Sequence, residues 1–342
     1  HTAYRRQRQM CIRDSFFSSV LFSESEDISI VIHGGAGWFS SMTEEEIKGI
    51  ESALNKAADL GYEIMLEGGT SLDAVEKAII ILENNPLFNA GKGSVYTSEL
   101  KQEMDASIMD GSNLDAGAVA SITSVKNPIT LARYVMENTE HVMFSSTGAE
   151  KLAKEAGLET VSPSYFYSKE KLERAKKKIK ADTKMGTVGV VAIDSFGNIA
   201  AGTSTGGMTN KKPGRIGDSP IIGAGTWAEN GVCGVSGTGH GEYFIRLNVA
   251  KEICVLMKYQ NLEVKKAAQI VIDRLAAMGA DGGVIVLDNM GVPAMVFNTP
   301  AMARAYKNST DYTLSLIHIS EPTRPERIAD AGVGVEKNKG GG

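Results

Sequence analysis

Three threonines, each beside glycine, do most to constrain this chain. They are Thr187 in Lys184-Met-Gly-Thr-Val-Gly189, Thr205 in Thr203-Ser-Thr-Gly-Gly207 and Thr238 in Gly237-Thr-Gly-His-Gly-Glu242. Between the last two lies Gly214-Arg-Ile-Gly-Asp-Ser-Pro220. A hydroxyl nucleophile, spare hydroxyl donors, an Arg–Asp pair and tight glycine turns are the parts of an acyl-transfer site. No Ser/His/Asp arrangement accompanies them, so the base must come from elsewhere. The backbone is one source: a cut before Thr187 frees an amine that can activate its own hydroxyl. An α-amine titrates at about 7.7–8.0 and is a usable base near neutral pH.

Bulk properties narrow the surroundings. A chain of 342 residues can bury a full core. A net charge of -5 argues against nucleic acid as the main partner. No apolar run reaches the ~18 residues of a membrane span. The cysteines are Cys11, Cys233 and Cys254, with no metal-ligand spacing. Cys233 and Cys254 read as small buried hydrophobes.

Along the chain, Ile28–Ile32 is a β-branched run closed by His33-Gly-Gly-Ala-Gly37, a strand entering a tight loop. Thr43 with Glu46, and Thr70 with Asp73, read as capping boxes. They open helices to about Leu60 and through Leu82. Residues 93–123 read as short strands, and Pro128 starts a helix through Val135. Further helices are expected at 146–157, 169–180, 241–257 and 262–278, and residues 181–186 as a polar linker. Hairpins are expected at 187–203 and 284–297. Strands cluster and helices come in blocks, which suggests sheets covered by helices.

The two ends differ in character. Residues 1–15 and 315–326 resemble translated sequencing adapters. Phe16-Phe-Ser-Ser-Val-Leu-Phe-Ser23 reads as the stump of a signal-peptide apolar region, which favours a periplasmic or secreted protein over a cytoplasmic one.

From Ile28 to about Thr313 the spaced motifs resemble the plant-type asparaginase and isoaspartyl peptidase family, which are N-terminal-nucleophile hydrolases. The resemblance implies an α+β fold, a four-layer αββα sandwich. It divides the chain into a leader (1–26), an alpha subunit (27–186), a beta subunit (187–313) and an adapter-like tail expected to be disordered (314–342). It implies self-cleavage between Gly186 and Thr187, with glycine tolerating a strained backbone there. Thr187 is then the nucleophile, and Thr205 donates to its hydroxyl. Thr238 and the Gly239 N–H form the oxyanion hole. Asn89 reaches the catalytic centre. Arg215 grips the substrate α-carboxylate, and Asp218 grips the α-ammonium with the Gly241 carbonyl. Catalysis needs no cofactor. Main-chain carbonyls of Leu82, Glu83, Asn85, Phe88, Ala90 and Lys92 hold a structural sodium ion. The working unit is an (αβ)2 pair of cleaved chains.

The resemblance implies release of L-aspartate from β-aspartyl dipeptides and L-asparagine. The nearest alternative is a glycosylasparaginase, which cleaves the sugar–asparagine linkage. The string Thr205-Gly-Gly-Met-Thr-Asn210 looks like the asparaginase branch. A nucleotide-binding oxidoreductase is disfavoured, because Gly35-x-Gly37-x-x-Ser40 lacks the third glycine and the later acid. A non-catalytic binding protein is the reading for a chain that fails to cleave itself. His33, His141 and His240 have no pairing that suggests a metal, so each reads as a structural histidine.

Overall fold

The computed structural model describes residues 28–37, 42–177 and 186–317. The Phe16–Ser23 stump, the linker 181–185 and the tail beyond 317 lie outside them. No helix among the described residues is long and apolar enough to cross a membrane.

The alpha half opens with β1 (Ser29–Gly37), α1 (Glu44–Leu66) and α2 (Ser71–Glu83). Thr43 closes a full capping box, its Oγ1 accepting from Glu46 N at 3.2 Å while Glu46 accepts from Thr43 N at 2.9 Å. Thr70 caps α2 by accepting from Asp73 N at 3.1 Å. α1 continues past the expected stop at Leu60 because Gly61 lets the helix settle onto Ile30 of β1, where a Cβ would collide. A hairpin of β2 (Met104–Asp110) and β3 (Ala116–Ile122) follows, then α3 (Pro128–Asn138), β4 (Met143–Ser145), α4 (Ser146–Glu155) and α5 (Lys169–Lys176).

The beta half starts with a hairpin of β5 (Val188–Ile193) and β6 (Ile199–Thr205), then β7 (Thr226–Glu229) and β8 (Cys233–Gly239). The helices α6 (Gly241–Leu247), α7 (Val249–Gln260) and α8 (Val264–Ala277) come next. The last described elements are β9 (Gly282–Asp288), β10 (Pro293–Phe297), β11 (Ala301–Lys307) and β12 (Tyr312–Ile317). The helix expected over 241–257 is broken, because Asn248 takes a left-handed conformation at φ 49°.

Eight strands form one sheet in the order β12-β11-β1-β5-β6-β2-β3-β4, and four form a second in the order β10-β9-β8-β7. The central strands are buried on both faces, so they read as near-continuous apolar runs. In β1, Ile30 and Ile32 face the layer of α1, α2 and α3. Val31 faces the other way, toward Val235 and Val286 of the small sheet. α7 and α8 cover that sheet from outside through Ile253, Val271 and Leu275. The result is the four-layer αββα sandwich.

Three expectations are corrected. Cys233 and Cys254 are buried, but they are bonded to each other: a disulfide ties β8 to α7 across a Cα–Cα distance of 5.7 Å. Their separation of 21 residues carries no such signal. The His33–Gly37 stretch is not a loop after the strand but its continuation. A register shift between His33 and Gly35 is followed by pairing of Gly35, Ala36 and Gly37 with Ala303, Met302 and Ala301. Finally, residues 314–317 are not a disordered tail. They complete β12, which pairs with β11 and packs the half-buried Leu314 against the outer core.

β12 covers the edge of the large sheet, which otherwise would expose the unpaired backbone of β11. A chain ending at Ile317 should melt within about 2 °C of the full chain, whereas one ending at Asp311 should lose several degrees. Thermal denaturation of the two truncations checks this; equal melting temperatures would show that β12 contributes nothing.

Candidate active site

Thr187 stands immediately before β5, which lies between β1 and β6 in the centre of the large sheet. Its side chain is buried, and its Oγ1 donates to Thr205 Oγ1 at 3.1 Å, the reverse of the direction the resemblance implies, because Thr205 is itself the acceptor of a backbone N–H. Thr205 ends β6 and also accepts from Gly207 N at 2.9 Å. That second donor fixes the Thr205 hydroxyl, and so the direction in which Thr187 can point. Gly189, the last residue of the Gly-Thr-Val-Gly string, faces the gap between the sheets. A Cβ there would collide with Ser236 Oγ and with His33.

Gly186 is held from two sides. Gly35, at φ 111°, brings its backbone so close that a Cβ on it would lie 2.8 Å from Gly186 C. On the other side a Cβ on Gly186 itself would lie 2.7 Å from Thr238 Oγ1. Thr238 in turn accepts from Ala36 N at 3.3 Å. Glycine is therefore needed at Gly186 for contact, and at Gly35 for both contact and its positive φ. The bond before Thr187 is thus lodged between the bulged end of β1 and a hydroxyl of β8.

A cavity of about 230 Å³ opens beside these groups. Gly186, Thr187, Thr205, Thr238, Gly239, Asn89, Arg215 and Asp218 all line it. Gly241 stands behind the wall, against Asp218 and Arg215. Arg215 also has a protein partner not expected from sequence, Glu242. Arg215 Nε and Nη2 donate to the two carboxylate oxygens of Glu242 at 2.9 and 2.8 Å, and this holds the Glu242 carboxyl below its usual range. Glu242 carries no sequence signal for this role, because the pairing depends on where α6 docks. Two of the five guanidinium donors are used this way, leaving the remainder for a ligand.

Asp218 is fully enclosed, and its Oδ2 has no hydrogen-bond partner. Burial pushes its carboxyl up to about 7, only partly offset by its own backbone N–H and the nearby Arg215. A buried acceptor aimed into a cavity, beside a guanidinium, fits a ligand that carries an ammonium and a carboxylate on one carbon.

Asn89 connects this centre to the loop after α2. Its Nδ2 donates to Gly207 O at 2.7 Å, its Oδ1 accepts from Val95 N at 3.0 Å, and its carbonyl accepts from Gly206 N at 2.9 Å. The turn that delivers Gly207 N to Thr205 is therefore splinted by Asn89. In the same loop Leu82, Asn85 and Ala90 each accept one backbone N–H, leaving a lone pair on each carbonyl. The Glu83 side chain does separate work. Pushed up to about 8 by burial, it accepts from Ser204 Oγ at 2.6 Å and from Ile129 N at 3.0 Å, joining β6 to the start of α3. The Lys92 ammonium lies 5.2 Å from the Tyr165 ring centroid. Neutral carbonyls on a tightly wound loop fit a monovalent cation. Among the described residues no cluster of His, Cys, Asp or Glu could hold a metal.

Sequence reasoning missed a buried row of hydroxyls between the sheets. It runs from Ser107 through Thr226 and Thr203 to Ser236 at 2.8, 2.6 and 2.7 Å, and ends on His33 Nε2 at 3.0 Å. Burial drives His33 down to about 3, so the ring is neutral. His141 is exposed, and His240 Nδ1 accepts from Asp281 N at 3.2 Å.

Comparison with known proteins gives one family. The profile of the family described as Asparaginase matches residues 26–317. The isoaspartyl peptidase of Escherichia coli (strain K12) is 44% identical over 300 residues, spanning 82% of this chain and 93% of its own length. The isoaspartyl peptidase of Salmonella typhimurium is also 44% identical, spanning 82% and 96%. The isoaspartyl peptidase/L-asparaginase of Rattus norvegicus is 41% identical over 290 residues, spanning 82% and 86%.

Asp218 also carries a pH signature. Its folded value near 7 lies above its ordinary value of 3.8, so its contribution to stability is full below that value and is lost as pH rises through about 7. Asp218→Asn should therefore melt higher than the wild type at pH 8 and no higher at pH 4. Melting curves of both proteins at the two pH values test this; a difference that does not change with pH would contradict it.

Proposed function

The chain belongs to the asparaginase family, and from that premise we propose that it is a self-cleaving threonine amidohydrolase that releases L-aspartate from β-aspartyl dipeptides and L-asparagine. The names of its relatives, isoaspartyl peptidase and L-asparaginase, support this branch over glycosylasparaginase. The observation that carries the reading is the Thr187–Thr205 hydroxyl contact at 3.1 Å, opening on a cavity that also holds Arg215 and Asp218, whose Oδ2 has no hydrogen-bond partner.

In the proposed maturation, Thr187 Oγ1 attacks the carbonyl carbon of Gly186. The acyl group moves from nitrogen to oxygen, and water hydrolyses the ester. Gly186 keeps the carboxylate and Thr187 gains a free amine. In turnover that amine takes the proton of the Thr187 hydroxyl, which attacks the substrate side-chain carbonyl. Thr238 and the Gly239 N–H would meet the developing oxyanion. Ammonia or an amino acid leaves with the proton, and water then resolves the aspartyl ester. Thr205, fixed by Gly207 N, would keep the nucleophile aimed. Arg215 would bind the α-carboxylate, and Asp218 the α-ammonium with the Gly241 carbonyl. Ammonium binding also supplies the charge that buried Asp218 lacks, favouring its ionised form.

A monovalent cation such as sodium would be held by the carbonyls of Leu82, Glu83, Asn85, Phe88, Ala90 and Lys92. It would have no part in the chemistry, and of these carbonyls Phe88 O already accepts from Lys171 Nζ at 3.1 Å. We further propose an (αβ)2 working unit. Sizing chromatography at micromolar concentration checks it, and elution as a single αβ unit would contradict it.

A β-aspartyl dipeptide keeps its α-carboxylate and α-ammonium free, whereas an α-aspartyl peptide has spent its α-carboxylate in the peptide bond. Leaving a desolvated charge unpaired costs on the order of 2–5 kcal/mol, roughly 30-fold to several thousand-fold in kcat/KM. β-Aspartyl-leucine should be hydrolysed readily and α-aspartyl-leucine hardly at all. Arg215→Ala should lower kcat/KM for the β-linked substrate without blocking self-cleavage. Comparable turnover of the two dipeptides by the wild type would sink the proposal.

A further inference from the structure

The loop that splints the active centre contains a cation supplied by the chain itself. Lys171, in the first turn of α5, reaches across to residues 86–93 and donates to Pro86 O at 3.0 Å, to Phe88 O at 3.1 Å and to Gly93 O. An ammonium has three protons, and here each has a main-chain carbonyl. The loop is wound for this contact. A Cβ at Gly93 would collide with Phe88 O and would lie 2.8 Å from Pro86 O and 3.0 Å from Lys171 Nζ. Gly91, at φ 49°, presses in the same way on Glu83 O. Carbonyl oxygens brought this close repel one another unless a positive charge sits among them.

Lys171 is itself held in place. Ser168 caps α5 by accepting from Lys171 N at 3.3 Å, and Ser168 N donates to Tyr96 Oη at 3.2 Å. The lysine therefore arrives from a short helix anchored at both its cap and its ammonium. The loop it enters places Asn89 against Gly206 and Gly207, and Gly207 N orients Thr205.

We infer that the Lys171 ammonium is the built-in cation of the 82–93 loop and makes an alkali-metal ion dispensable for its order. Phe88 O, one of the carbonyls that would face a metal, is already committed to it. Lys171 is a positioning residue: it touches no substrate and acts through Asn89. The inference concerns the order of the loop, so its stability readout does not depend on the proposed reaction.

The experiment is thermal denaturation of the full chain in sodium chloride and in choline chloride at equal ionic strength. Wild type should melt within about 1 °C in the two salts. Lys171→Met should melt roughly 3–8 °C lower in choline, the size expected on losing charge-assisted hydrogen bonds in a chain of this length. Sodium or ammonium chloride should restore at least half of that loss, because a small cation can re-enter the carbonyl cluster. Lys171→Arg, which keeps the charge, should lie between the two. Wild type losing more than about 3 °C in choline would overturn the inference, even if Lys171→Met does not fold. An unchanged melting temperature in Lys171→Met would overturn it too. So would a loss that no small cation reverses, since that describes ordinary packing.

Discussion

Backbone meets backbone where Gly35 of β1 approaches Gly186, and the site follows from that contact. Two strands that were merely adjacent would sit ~4.7–4.9 Å apart through their hydrogen bonds. Here the shift between His33 and Gly35 re-aims the end of β1 and drives it against the bond before Thr187. Thr238 closes the opposite side. The peptide bond so confined has a hydroxyl next to it, and that hydroxyl is pinned by Thr205. A side chain at either glycine would push Thr187 away from Thr205 and from the cavity together. Contacts on this scale are tolerated where surrounding structure over-determines them. Both layers of the sandwich do so here: the outer core grips Ile30 and Ile32, the inner core Val31.

Much of this was legible in the chain. The strands around Thr187 and Thr205 announce themselves by β-branched runs, and α1 and α2 by their capping threonines. The motif residues Asn89, Thr187, Thr205, Arg215, Asp218, Thr238 and Gly239 come together in one cavity. What the chain did not disclose depends on partners far away in sequence. The run of α1 beyond Leu60 is not legible until Ile30 is seen beneath Gly61. The bonding of Cys233 to Cys254 needs the docking of α7 on β8. β12 was hidden because its residues resemble a foreign tail, and the strand shows only in its pairing with β11. Arg215 and Asp218 were legible as neighbours in one loop, but Glu242 comes to Arg215 only through the placement of α6.

That last pairing clarifies the electrostatics. Arg215 is never a bare cation, since Glu242 holds one edge of its guanidinium at the protein surface. Asp218 is the opposite: enclosed, with an oxygen that nothing in the protein satisfies. A ligand with an ammonium repays that deficit, which makes the acid a selector for amino groups rather than a source of stability. The neutral His33 and the hydroxyl row behind it add rigidity without adding charge.

The central claim is that the amine of Thr187 becomes the base for its own hydroxyl, which requires the Gly186–Thr187 bond to break. Intact mass spectrometry of the purified, denatured protein, with N-terminal sequencing of the lighter species, tests it directly. The account predicts two chains, the second beginning at Thr187, and a single uncut chain for Thr187→Ala. A wild-type protein that stays whole while hydrolysing substrate, or that is cut at any other bond, would contradict it.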